Sequence, residues 1–152
     1  MENDHVFQEN EAYCGPAVVQ MVLQRFGVTA SQQEIAKELE TDMVVGTSAK
    51  ELEAFFVRRH FGVERKNDAT WEDVFAGLTK GTVIIGYIEQ GSDPHYALVS
   101  RVEGDTIVLK DPWHGDNFVL SKEEFVARWV DNEVARYGNR MLLTVWPQGG
   151  QQ

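Results

Sequence analysis

Cysteine is almost absent from this 152-residue chain, occurring once, at position 14. A lone cysteine cannot close an internal disulfide, so the stapled framework of a small secreted domain is excluded. The same scarcity argues against a metal centre. Neither C-x-x-C nor H-x-x-x-H spacing occurs, and a site assembled from Cys14, His95, Asp111 and His114 would have no ligand spacing behind it. No metal and no cofactor is expected. Positive charge is also short: 14 Lys and Arg stand against 24 Asp and Glu, for a formal net charge of -10. A phosphate backbone needs a basic footprint, so nucleic acid is not an expected partner.

Long apolar runs are missing as well. The N-terminus, MENDHVFQENE, is polar and acidic and contains no signal core, and no stretch reaches the length of a membrane span. The expected location is cytoplasmic, or at a membrane through a partner, without direct insertion. Repeats and long linkers are absent too. The expectation is one domain over 1–152, with an ordered core at about 6–146 and a flexible tail from about 147 that includes Gly149-Gly150. With 43% hydrophobic residues, such a chain can bury a core without metals or disulfides.

The first half reads as helical. From Cys14, the apolar positions Ala17, Val18, Met21 and Val22 follow helical spacing, and Val19, Leu23 and Phe26 add a second stripe. A helix apolar on nearly every side is a central one, and Gly27 supplies its stop. Ser31 with Glu34 forms a capping-box pattern before the next helix. Thr47 or Ser48 caps AKELEAFFVRRH, with Gly62 closing it, and Thr70 caps WEDVFAGL, with Gly81 marking the change to strand. A short strand is expected at VERK. The second half is β-rich: TVIIGYIE, HYALVSRV, TIVLKD and MLLTVW are β-branched or aromatic runs bounded by turn residues. EGD at 103–105 reads as a hairpin turn, and Ser121 with Glu124 as another capping box. Helices followed by a mainly antiparallel sheet define an α+β domain.

Cys14 falls where the central helix should begin. Pro16 suits a first helical turn, and unpaired N–H groups with the helix dipole favour a thiolate there. Gly15 would leave room for a substrate backbone. A nucleophilic thiol also needs a base held by a third group. Among the four histidines, His5 lies in the polar tail, His60 beside Arg58 and Arg59, and His114 in the loop DPWHGD. His95 opens a strand and shares a face with Ala97 and Val99. If EGD is a three-residue loop, Val102 pairs with Thr106 and Ala97 with Asp111, which brings Asp111 to the face of His95. A two-residue loop would turn Asp111 away unless a bulge compensates. Gln8, six residues before Cys14, could join the Cys14 N–H in holding an oxyanion. A buried structural cysteine and a structural strand-start histidine remain alternatives at this point.

Gln8, Cys14-Gly15, the helix through Met21 and Phe26-Gly27, GTSAKEL, His95 and Asp111-Pro112 with Gly115 recur in an order that resembles the papain-like cysteine peptidases that cut bacteriocin leaders after a double glycine. The resemblance spans about residues 6–146. It implies a papain-like fold, Cys14 as nucleophile, His95 as general base and acid, Asp111 as the residue orienting His95, and Gln8 as the oxyanion amide. It also implies a peptide substrate and a peptide-export transporter as partner. CGPA resembles the stand-alone or accessory members of the family rather than the transporter-fused ones. Trp113 or Tyr96 would supply a wall of the narrow cleft that glycine specificity requires. Two other functions fit the same residues: a peptide-binding module that does not cut, and a cysteine amidase or transglutaminase-like enzyme.

Overall fold

The computed structural model describes residues 5–90, 93–130 and 139–148. The expected tail from about 147, with Gly149-Gly150, lies outside the described residues except at positions 147 and 148.

Four of the five helices among the described residues start at the side-chain caps legible in the sequence. Ser31 caps α2 (Gln32–Leu39), Ser48 rather than Thr47 caps α3 (Ala49–Arg58), Thr70 caps α4 (Trp71–Lys80), and Ser121 caps α5 (Lys122–Arg128). In each, a hydroxyl accepts from the N–H three residues on, satisfying one orphan donor of the first turn. The first helix, α1 (Cys14–Arg25), differs: Tyr13 gives it no side-chain cap, and its first turn carries no acidic residue. It is buried at most positions from Cys14 to Leu23, as its two apolar stripes require.

The strands are β1 (Phe61–Lys66), β2 (Thr82–Gln90), β3 (Asp93–Glu103), β4 (Thr106–Asp111), β5 (Gly115–Ser121) and β6 (Leu142–Pro147). They form one sheet in the order β1-β6-β2-β3-β4-β5, and all its pairings are antiparallel. Strand β5 was not foreseen. Its residues GDNFVLS open on a polar stretch, and it is an edge strand with only Gly115 and Leu120 buried. Helix α3 also ends earlier than expected. It stops at Arg58, His60 adopts a left-handed φ of 68°, and Gly62 lies inside β1. A Cβ at Gly62 would lie 2.1 Å from Nε1 of Trp146 on the neighbouring strand, so this glycine makes room for an indole rather than ending a helix.

The alternation of side chains along the sheet produces two cores. Ile84, Tyr96 and Leu98 pack with α1, α2 and α3, whereas Ile85, Ala97 and Val99 pack with α4, α5 and Trp129. No helix among the described residues is long and apolar enough to cross a membrane.

Candidate active site

The β3–β4 hairpin sets the phase of the site. Glu103 pairs with Thr106 and Val102 with Ile107, so Gly104 and Asp105 form a two-residue loop. Of the two arrangements open for EGD, the three-residue loop with Val102 opposite Thr106 does not form. Gly104, at φ 59°, supplies the positive backbone angle that so tight a turn demands. Such a loop alone would turn Asp111 away from His95. The register then shifts between Val99 and Arg101, with Ser100 as the extra residue, so that Val99 pairs with Leu109 and Leu98 with Lys110. The bulge restores the phase. Val102 beyond it and Val99 before it reach the same core, although their positions differ in parity.

The hairpin consequently delivers Asp111 to His95, with Nε2 of the imidazole 2.8 Å from Oδ1. His95 is 7% exposed and Asp111 fully buried. The same Oδ1 accepts the backbone N–H groups of Trp113 at 2.8 Å and His114 at 2.9 Å. Those two bonds follow directly from Pro112, which ends the strand and folds the chain back over the carboxylate. Oδ2 accepts the Tyr87 hydroxyl at 2.5 Å. Tyr87 pairs with His95 across β2 and β3 and meets its ring edge-on at 5.8 Å. Sequence reasoning missed Tyr87. Its placement opposite His95 follows from the β2–β3 register, which the strand pattern alone does not give.

Cys14 is the first residue of α1 and 5% exposed. Its thiol hydrogen-bonds His95. Burial pushes the His95 imidazole down, but hydrogen bonds to Asp111 and Cys14, together with their charges, carry it from 6.5 up to about 10. Burial likewise works to raise Asp111. The hydrogen bond and charge of His95, with the Tyr87 hydroxyl and the His114 N–H, outweigh it and hold the carboxyl below its ordinary 3.8. The surroundings therefore favour the imidazolium form of His95.

Gly15 proves important for a different reason than substrate access. A Cβ there would lie 2.7 Å from Thr47 Oγ1 and 2.9 Å from Thr47 Cβ. Thr47 is 1% exposed, shares a hydrogen bond of 2.8 Å with Thr41, and accepts the Tyr96 hydroxyl at its carbonyl, at 2.9 Å. One buried threonine thus touches the residue after Cys14 and the residue after His95. Tyr96 is correspondingly a brace in the core, with no exposed surface, and its expected role as a wall of the cleft is overturned. Burial raises its hydroxyl further above 10, so it serves as a neutral donor. Trp113, by contrast, is 54% exposed beside the Asp111 turn.

Gln8 lies in the segment leading to α1. Its own N–H donates to Pro112 O at 3.0 Å, and its Nε2 to Asn10 O at 2.8 Å. Its Oε1 is buried with no hydrogen-bond partner among the described residues. An amide nitrogen carries two N–H groups, so one remains beyond the bond to Asn10. His5, expected only as part of a polar tail, has its Nε2 2.8 Å from the carbonyl oxygen of Asp111. His60 and His114 are exposed. The structure thus unites Cys14, His95 and Asp111 in direct contact and ties Gln8 to the Asp111 turn through its backbone.

A cysteine opening a buried helix, facing a histidine and an aspartate carried by an antiparallel sheet, is the architecture of a papain-like peptidase domain. The chain belongs to the Peptidase C39 family, whose sequence model matches residues 2–135. It is 30% identical over 127 residues to the lactococcin-G-processing and transport ATP-binding protein LagD of Lactococcus lactis, covering 82% of this chain and 17% of that protein. It is 25% identical over 139 residues to the mesentericin-Y105 transport/processing protein MesD of Leuconostoc mesenteroides, covering 84% and 18%. The chain thus spans under a fifth of the length of these curated relatives. Among solved structures, the peptidase domain of Streptococcus ComA superposes with a TM-score of 0.77 at 19% identity, covering 96% of this chain and all of that one. A double glycine motif protease from an AMS/PCAT transporter, solved with its leader peptide, gives 0.69 at 16% identity, covering 95% of this chain and 91% of that one. Likeness at this level of identity establishes the fold.

Proposed function

We propose that this chain is a cysteine endopeptidase that cleaves a peptide or leader sequence after small residues of the Gly-Gly type. The observation that carries the reading is the unbroken contact from Asp111 through His95 to Cys14. A thiolate at Cys14 attacks the scissile carbonyl, and the carbonyl π pair becomes an oxyanion. The Cys14 N–H, in the uncapped first turn of α1, and the free N–H of Gln8 Nε2 hold that charge. His95 gives its proton to the leaving amine as the C–N bond breaks, leaving an acyl-enzyme. Water, deprotonated by His95, then attacks the thioester, and the carboxylic acid product departs with Cys14 regenerated. Asp111 keeps the ring aligned and stabilises its cationic form. Trp113 is the exposed aromatic next to these groups and forms a wall of the cleft.

The named activities of the relatives support the substrate class. LagD and MesD are processing and transport proteins, and the AMS/PCAT domain is a double glycine motif protease in complex with a leader peptide. On this reading the cleaved peptide is one destined for export, and a peptide-export transporter is a natural partner. The decisive assay incubates the chain with a library of leader peptides ending in Gly-Gly and identifies products by mass. Cleavage after the glycines that disappears in Cys14→Ala is the expected result. If peptides bind yet no Cys14-dependent product forms, the chain is a binding module. If side-chain amides change while the backbone stays intact, the reaction is that of an amidase or transglutaminase.

A further inference from the structure

Gln8 poses a mechanical question, because its side chain buries an oxygen that no described residue satisfies. An unpaired buried oxygen is destabilising, so the path of the main chain that carries the side chain there has to be set by other bonds. That restraint is visible in a residue far from Cys14 in sequence. Gln32 is the first residue of α2, a position where a glutamine ordinarily faces water, but only 1% of it is exposed. Its Nε2 donates to Phe7 O at 2.8 Å and to Gln20 Oε1 at 3.0 Å, and its Oε1 accepts the N–H of Glu9 at 2.9 Å. One side-chain amide therefore bonds the peptide groups on both sides of Gln8, in the manner of a neighbouring strand.

The opposite side of the same segment is held by the Gln8 N–H bond to Pro112 O. N–H and C=O groups of successive residues in an extended chain point to opposite sides, and the bonds of Phe7, Gln8 and Glu9 follow that alternation. Gln8 is consequently gripped between Gln32 and the turn that also encloses Asp111. Gln20 supports Gln32 in turn, since its Nε2 donates to Ala30 O at 2.9 Å, leaving its Oε1 aimed at Gln32.

We propose that Gln32 is a positioning residue that sets the aim of Gln8 toward the oxyanion by clamping the main chain around it. The inference rests on the assignment of Gln8 made above. Gln32→Leu removes all three bonds while keeping an apolar bulk, and Gln32→Asn keeps the amide but is too short to span Phe7 and Glu9 together. Turnover of a cleaved leader peptide should fall roughly 10- to 100-fold in kcat for Gln32→Leu, a fraction of the loss expected when an oxyanion donor is removed outright. KM and the pH profile of Cys14 alkylation should stay as in the wild type, because neither depends on the oxyanion site. In a Gln8→Ala background, Gln32→Leu should cause no further loss.

Should Gln32→Leu fail to fold, Gln32→Asn carries the same test, with a smaller expected loss. Multiplying losses in the double variant, a parallel change in Cys14 alkylation, or wild-type kcat in the folded single variant would each overturn the proposal. If Gln8→Ala itself turns over at the wild-type rate, the oxyanion assignment falls first, and the clamp falls with it. A Gln8→Ala defect beside wild-type turnover in Gln32→Leu sinks the clamp alone.

Discussion

On the sheet side of the site, four donors converge on the carboxylate of Asp111, whereas on the helix side the amide of Gln8 keeps one oxygen buried without a partner. The sheet side holds charge, and buried charge is tolerable only when saturated with hydrogen bonds. On the proposed function the helix side receives charge, and there the second N–H of the Gln8 amide is the donor left beyond the bond to Asn10, since its oxygen can only accept. That side is fixed instead by packing and main-chain bonds: Thr47 against Gly15, and Gln32 around Gln8.

The largest way to break the contrast is at its saturated half. Asp111→Ala leaves His95 buried without its carboxylate and strands four donors. It should lower kcat by roughly 10²- to 10⁴-fold and unfolding free energy by about 3–5 kcal/mol, read from leader-peptide turnover and urea denaturation. A loss of turnover with unchanged stability would show that the carboxylate is not a structural keystone of this sheet. Next comes the packed half. Gly15→Ala should cost about 1–3 kcal/mol by overpacking Thr47, and Thr47→Gly in the same chain should recover part of it, since both close contacts are with that side chain. An undisturbed urea midpoint in Gly15→Ala would mean that α1 shifts freely and that Thr47 does not lock it.

The smallest effect sharpens the electrostatic link between the halves. Removing the thiol in Cys14→Ala deletes one hydrogen bond and one charge that raise His95, while Asp111 remains. The ring should therefore titrate below the wild-type value of about 10, as NMR of the imidazole would show. A folded value above the ordinary 6.5 means that the protonated ring stabilises the fold fully below pH 6.5, and that this contribution fades as pH rises through about 10. The melting temperature of the wild type relative to His95→Gln should narrow across that same interval. A ring that titrates identically with and without the thiol would separate the two halves electrostatically.

Much of this arrangement is legible in the sequence where local chemistry decides it. The caps at Ser31, Ser48, Thr70 and Ser121 are short-range hydrogen bonds, and the β runs of the second half follow from branched and aromatic residues. Cys14, His95 and Asp111 stand out in the sequence because each has a local signature: a helix start, a strand start and a strand end before proline. Tyr87, Thr47 and Gln32 carry no such mark. Their importance arises from contacts across 24, 32 and 25 residues of sequence, respectively to Asp111, Gly15 and Phe7. Strand β5 was missed because a polar edge strand takes its stability from pairing with β4 rather than from its own pattern. Tyr96 was misjudged because an aromatic beside His95 reads equally well as cleft wall or core, and only the parity of β3 decides.

The bulge at Ser100 has a consequence for how such a domain tolerates change over generations. The alignment of His95 with Asp111 is stored in that one supernumerary residue, and the hairpin tip at Gly104–Asp105 holds none of it. Insertions at the tip would lengthen a surface loop and leave the pair in phase. Loss of Ser100 would put the two residues on opposite faces of the sheet. The chemistry is therefore inherited through a position whose side chain takes no part in it.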